Sequence, residues 1–178
     1  VLAGEATWTV IEGDCLQVLP TIPDRAVAHV ITDPPYEAEA HTPQRRQCAD
    51  DGIEHAPMSF AAITDADRSS FGGHAARIAT RWALLFCQVE AVWLWRQSLV
   101  AGGMRWNRGQ AWVKPDSSPQ FNGKGPAQGF ECIATAHSMA PLRWNGGGKR
   151  GVYSFECHRA PSDNSGHETQ KPLPLMLE

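Results

Sequence analysis

The sequence predicts an α/β domain built on a mostly parallel sheet with some antiparallel edge, and three observations lead there. Short runs such as 26–32 (AVAHVIT) and 82–87 (WALLFC) are nearly continuous in apolar and β-branched residues, the pattern of strands covered on both faces. These runs alternate with stretches patterned as helices, which is the order that crossovers between parallel strands require. The length of 178 residues with 42% hydrophobic content suits one compact core, so residues 1–178 are expected to form a single domain.

The elements follow in chain order. Residues 7–11 (TWTVI) are rich in β-formers and predict a first strand, closed by Gly13-Asp14, which opens a short helix over 15–19 stopped by Pro20. The apolar strand 26–32 runs directly into Asp33-Pro34-Pro35-Tyr36 and so places this tetrapeptide at a strand's carboxyl end. Residues 37–57 alternate in charge without periodicity and predict a mobile loop of the kind that carries function. A helix over 74–81, a buried strand over 82–87 and a helix over 89–100 ended by Gly102-Gly103 come next. Strands over 104–114 and 130–137 flank a loop at 116–129, and residues 141–166 are rich in Gly, Arg, Asn and Ser with only short β-like pieces. No internal repeat is present.

Charge and composition remove several classes. No apolar run approaches the roughly 20 residues that span a bilayer, and the opening residues lack the basic start and long apolar stretch of a secretory signal, so the reading is a cytoplasmic protein. The five cysteines (Cys15, Cys48, Cys87, Cys132, Cys157) are odd in number and contain no C-x-x-C pair, which argues for thiols rather than a disulfide framework or zinc knuckle. Cys157, His158 and His167 have poor spacing for a metal, and none is expected. The net charge of −3 hides an asymmetry: residues 1–68 carry twelve acids against four bases, and residues 104–150 carry seven bases against two acids. A basic segment of this kind binds polyanions locally or forms a solvated surface; charge alone leaves both open.

The tetrapeptide Asp33-Pro34-Pro35-Tyr36 would arise by chance in a chain of this length on the order of once in a thousand. Two prolines fix φ twice, remove two backbone donors and push Asp33 out of helical conformation, leaving a stiff turn with exposed carbonyls. Such a turn is an acceptor surface. A planar ring amine there donates one N–H to the Asp33 carboxylate and the other to the Pro34 carbonyl, while Tyr36 stacks on the ring. The amine of adenine or cytosine is a poor nucleophile because its lone pair is delocalised; two acceptors favour the positive charge that develops as it attacks a methyl group. A rigid strand-end turn with a packed tyrosine is the plainer reading of the same residues.

The stretch Gly13-Asp14-Cys15-Leu16, Leu19-Pro20 and Ile31-Thr32-Asp33-Pro34-Pro35-Tyr36 resembles the opening of the amino-group DNA methyltransferases, and the likeness continues through Leu85-Phe86-Cys87, Trp112-Val113-Lys114-Pro115, Phe130-Glu131 and His167 to Leu173 (HETQKPL). The order of these blocks resembles the permuted beta group of that family, in which the catalytic turn comes first and the cofactor's glycine loop last. The resemblance implies a Rossmann-like methyltransferase fold, S-adenosylmethionine as cofactor, double-stranded DNA as substrate and a bacterial or phage origin. It implies catalytic roles for Asp33, Pro34, Pro35 and Tyr36. It places Asp14 and Cys15 at the cofactor's adenine ring, Asp33 between cofactor and base, and Thr169 and Lys171 near the methionine end. Helix capping also explains Asp14, and a helix start also explains 169–172; both can hold together with the cofactor roles. The family usually has Pro where Glu168 stands, and only six residues follow Pro172, so the glycine-rich turn expected next is absent and the chain resembles a fragment with weakened cofactor binding. Gly146-Gly147-Gly148-Lys149-Arg150 lacks the spacing and final Ser or Thr of a phosphate loop. A sheet left open at one edge invites pairing with a second copy.

Methylating a base amine requires the nucleotide to leave the helix stack. The candidate DNA-contact loops are 37–57, 116–129 and 139–166, with Arg45, Arg46, Lys124, Arg143, Lys149 and Arg150 for phosphates and bases, and Trp144 for stacking. Asp at the first position of the turn favours adenine N6 as the target by the resemblance. Cytosine N4 is the runner-up, and a DNA-binding or inert remnant of such an enzyme is the reading from another class.

Overall fold

A strand, β1 (Val27–Thr32), pairs in parallel with β2 (Ala79–Cys87), and between them the chain forms a long helix, α2 (Asp65–Ile78). The computed structural model describes residues 6–37, 61–117, 119, 125–140, 144–157 and 170–178. Ahead of β1 lies one helical turn, α1 (Cys15–Val18), capped by Asp14, whose Oδ1 accepts the Leu16 N–H at 2.8 Å, and continued by a 3-10 turn over Leu19–Thr21 that holds Pro20 at its start. After β2 come α3 (Val92–Ala101), β3 (Arg105–Val113), β4 (Phe130–His137), β5 (Val152–Ser154) and a terminal helix α4 (Leu173–Leu177).

The sheet order is β1-β2-β4-β3-β5. β1–β2 and β3–β5 are parallel, and β2–β4 and β3–β4 are antiparallel. The α/β class expected from the sequence is present, with a sheet more evenly mixed than expected. No helix among the described residues separates β3 from β4, so β4 returns beside its predecessor and slots between β2 and β3.

Helices α2 and α3 cover one face. Ala83, Leu85, Ala134 and Ala136 present small or compact side chains to Ala75, Trp95 and Leu99, all at most 1% exposed, and Phe71 meets Trp95 edge-on with centroids 5.7 Å apart. The other face carries a smaller cluster of Phe86, Trp112, Ile133 and Leu175. The period-two alternation along β2 sends Leu84 and Phe86 to this face and Ala83, Leu85 and Cys87 to the helices.

Three expectations change. Residues 7–11 form no strand: Trp8, Val10 and Ile11 are 74, 80 and 63% exposed, because a β-prone segment becomes a strand only beside a ladder, and no described strand pairs with it. β1 is not covered on both faces; it is one of the two outer strands among the described residues, and Ile31 is 53% exposed. The helix expected at 74–81 begins at Asp65 and ends at Ile78, opened by a capping box in which Thr64 Oγ1 accepts from Asp67 N and the Asp67 carboxylate accepts from Thr64 N.

Gly72-Gly73 in the middle of α2 hid the start of this helix, and the packing explains one of the pair. A Cβ at Gly72 would lie 2.7 Å from the Ser98 carbonyl oxygen of α3, whereas one at Gly73 would meet nothing within 4 Å. Gly72→Ala is expected to destabilise the protein by about 1–3 kcal/mol through overpacking. Gly73→Ala is expected to be neutral or to stabilise by up to about 1 kcal/mol through helix propensity. Urea midpoints at unchanged slope separate the two, and equal shifts would contradict the close helix approach.

Candidate functional site

The strand registers bring distant segments to one edge of the sheet. Thr32 lies beside Leu85, Cys87 beside Cys132, and Trp112 beside Glu131, so the carboxyl ends of β1, β2 and β3 and the amino end of β4 share that edge. This is where ligands bind on open α/β sheets. Asp33 follows β1 directly, as expected. Glu131 enters β4 there, Lys114 leaves β3 there, and Lys171 arrives from the segment before α4.

These side chains form one connected cluster. Lys171 Nζ lies 2.6 Å from Asp33 Oδ2 and 3.3 Å from Glu131 Oε2. The Tyr36 hydroxyl donates to Glu131 Oε2 at 2.8 Å, and Lys114 Nζ pairs with Glu131 Oε1. The Lys171 ammonium also faces three rings, Phe86, Tyr36 and Trp112, at 5.2, 5.6 and 5.9 Å from their centroids. Lys114 lies 4.5 Å over Trp112. Two carboxylates and two ammoniums cancel in charge, which is how a strand end this enclosed tolerates four ions. Side-chain exposure rises from 11% at Lys171 and 13% at Glu131 to 34% at Asp33, so Asp33 is the member that solvent and ligands reach.

Electrostatics follow burial. Burial pushes the Glu131 carboxyl up, but Lys171 and Lys114 outweigh it and hold it below the usual carboxylate range. Burial, with the charges of Glu131 and Asp33, pushes the Tyr36 phenol far above its usual value. A phenol raised in the folded state stays neutral while its unfolded counterpart ionises near about pH 10, so its contribution is complete below that pH and is lost above it. Melting temperature is therefore expected to fall from about pH 10 upward, and Tyr36→Phe is expected to flatten that fall; identical alkaline slopes would contradict a raised phenol.

The exit of the diproline turn is pinned from α2. Ile63 N–H donates to the Tyr36 carbonyl at 3.2 Å, and the Arg68 guanidinium pairs with Glu37 at 2.9 Å and with Asp65 at 2.5 Å. Arg68 is only 4% exposed and lies 5.5 Å over the Trp95 ring.

Of the residues expected from the sequence, the structure brings Asp33, Tyr36 and Lys171 together, with Pro34 and Pro35 between the first two. Asp14 and Cys15 sit at the start of α1, both exposed. Thr169, Arg45, Arg46, Lys124 and Arg143 lie outside the described residues, as do His158 and His167. Lys149 and Arg150 are exposed on the segment entering β5, where Lys149 lies 3.8 Å from Glu178. Trp144 is 41% exposed and packs edge-on against Trp82 at 4.9 Å. It lines a cavity of about 200 Å³ on the α4 side of the sheet, together with His29, Ile31 and Phe86.

Glu131, Lys114 and Arg68 were missed as site residues. The signal for Glu131 was an acid opening an apolar strand, since a buried carboxylate needs cationic partners; which lysines supply them is a tertiary matter.

Comparison with known proteins bears on the fold. No protein-family model and no curated protein matches the chain. The solved structure described as the M1.HpyAVI–SAM complex aligns over 93% of this chain and 72% of that one, with a TM-score of 0.60 at 17% identity. The chain has a DNA methyltransferase fold. TTHA0409 from Thermus thermophilus, provisionally described as a DNA modification methylase, aligns over 74% of this chain and 53% of that one, with a TM-score of 0.47 at 14% identity. The methyltransferase fold rests on the first of these and on the sheet itself. In that fold the Asp33 turn stands where the strands end, and no helix among the described residues is long and apolar enough to cross a membrane.

Proposed function

We propose that this chain transfers a methyl group from S-adenosylmethionine to the exocyclic amine of a base flipped out of duplex DNA, with adenine N6 the preferred target and cytosine N4 the runner-up. The observation that carries the reading is the placement of the Asp33-Pro34-Pro35-Tyr36 turn at the end of β1, its carboxylate the most exposed member of a charged cluster walled by Phe86, Tyr36 and Trp112.

Asp33 accepts one N–H of the base amine and the Pro34 carbonyl accepts the other, drawing the nitrogen toward the pyramidal, positively charged form that it reaches in the transition state. The diproline corner has no N–H of its own to compete for those acceptors. Tyr36, its hydroxyl tied to Glu131, offers a fixed ring for the base to stack on. The neighbouring carboxylates Asp33 and Glu131 also favour the charge that accumulates on the methylated amine before its proton leaves.

The residues at hand fit the cofactor in charge and chemistry. S-adenosylmethionine, when bound, supplies an electrophilic methyl group. Asp14 uses one carboxylate oxygen to cap α1, which leaves a second acceptor for the adenine amine. Partial desolvation and the charge of Asp14 raise the Cys15 thiol, so it would meet that ring as a neutral group. The Lys171 ammonium carries three donors, of which Asp33 and Glu131 take two, so one remains for the cofactor's carboxylate. Lys149 and Arg150, with Arg45, Arg46, Lys124 and Arg143, supply phosphate contacts. Trp144 offers an exposed ring for DNA stacking.

The test is incubation of the 178-residue chain with labelled S-adenosylmethionine and unmethylated DNA, followed by digestion to nucleosides. N6-methyladenine is expected. N4-methylcytosine moves the target to cytosine, and retention of DNA without methylated product supports the remnant reading. Calorimetry with S-adenosylmethionine alone reports whether this length of chain binds the donor.

A further inference from the structure

The Asp33 carboxylate that the proposed reaction needs already has a partner. Lys171 Nζ sits 2.6 Å from it, closer than to Glu131 at 3.3 Å, inside a cage of three aromatic rings. A base amine entering the turn must therefore displace an ammonium that is 11% exposed and has little access to water. Leaving a buried cation without a counter-charge costs several kcal/mol in general, enough to suppress capture of the base altogether.

We propose that Glu131 is the positioning residue that takes over Lys171 when the base claims Asp33. Its geometry suits that task. Glu131 is fixed on β4 opposite Trp112, already touches Lys171, and is held in place by Lys114 on its other oxygen and by the Tyr36 hydroxyl. Lys171 thus sits between two carboxylates, one mobile in its allegiance and one anchored. When the base donates to Asp33, the ammonium moves a fraction of an ångström to full pairing with Glu131, and the cluster stays neutral. The same carboxylate holds the Tyr36 ring, so base stacking and release of Asp33 are set by one residue. This inference rests on the proposed methyl transfer for its purpose, but the exchange of partners is a property of the protein alone.

Two arms test it. The first needs no activity. The chain has four lysines, and the ¹⁵Nζ signal of a shielded, ion-paired ammonium persists in water where exposed ones exchange away; Lys171→Met assigns it. Asp33→Asn, which imitates an Asp33 whose charge has been claimed, is expected to keep the Lys171 signal through Glu131. Glu131→Gln is expected to keep it through Asp33, and the double variant to lose it. Loss of the signal in Asp33→Asn alone, in a chain that still melts cooperatively, would overturn the proposal. The second arm is kinetic. Glu131→Gln is expected to lower kcat/KM for DNA about tenfold or more at saturating S-adenosylmethionine. A Glu131→Gln variant that keeps the full kcat/KM for DNA would also overturn the hand-over. If the unaltered chain methylates no DNA, the functional reading fails while the ammonium arm still decides the exchange.

Discussion

Asp33→Ala is expected to abolish methyl transfer to DNA while leaving the fold intact. The carboxylate is the acceptor that polarises the base amine, and removing one preorganised partner of a developing charge costs on the order of a hundred- to a thousandfold in rate. The protein itself loses little. Asp33 lies in the loop after β1, its side chain is 34% exposed, and ion pairs of that exposure contribute about 0–1 kcal/mol. Lys171 keeps Glu131 as counter-charge and stays in its cage. Rates from single-turnover labelling, set beside melting temperatures, separate the two effects. An Ala variant that methylates at the full rate would remove Asp33 from the chemistry, and one that melts many degrees lower would make it a structural residue. Asp33→Asn, which keeps an acceptor oxygen without the charge, is expected to fall between the Ala variant and the original.

Arg68→Ala is expected to cause the largest loss of stability, about 3–5 kcal/mol, from breaking a buried ion pair and leaving a cavity. Arg68 is 4% exposed on α2, covers the Trp95 ring and pairs with Glu37 directly after the diproline turn. The Ser98 hydroxyl also donates to its carbonyl, so α2 and α3 meet at this residue. For a chain of this size the loss amounts to a drop in melting temperature on the order of 10 °C. Arg68→Met separates its two contributions: the methionine fills the space over Trp95 and is expected to recover much of the stability, but it cannot hold Glu37. Methyl transfer in Arg68→Met is accordingly expected to stay depressed while the fold recovers. A change of under about 2 °C in Arg68→Ala would show that the guanidinium fastens nothing.

The local chemistry of this protein is written in its sequence. Pro34-Pro35 dictates a stiff turn whatever surrounds it, and the apolar run ahead of it had to become a strand. Asp14 before an apolar-periodic stretch had to cap a helix, and Gly102-Gly103 had to end one. Trp93 and Trp95, two apart in one dense helix, point to different faces, with Trp95 at 1% and Trp93 at 57% exposed. These features depend on neighbours a few residues away, and short-range backbone sterics, caps and periodicity are readable in one dimension. Residues 7–11 show where that ends. They have the composition of a strand and lie exposed, since a strand requires a partner from elsewhere. Gly72 is a residue of low helix propensity and is a helix contact, because only the position of Ser98 says why a side chain is missing there.

The site divides the same way. The sequence alone determined that an acceptor turn of Asp, two prolines and Tyr ends a strand, with a Lys-Pro block near the other end of the chain. Only the tertiary structure decided that Lys171, 138 residues on from Asp33, lies against it, and that Glu131 and Lys114 complete the cluster. The reason is physical: the insertion of β4 between β2 and β3 is a choice among long-range pairings, and buried charges become legible only when every counter-charge has been placed.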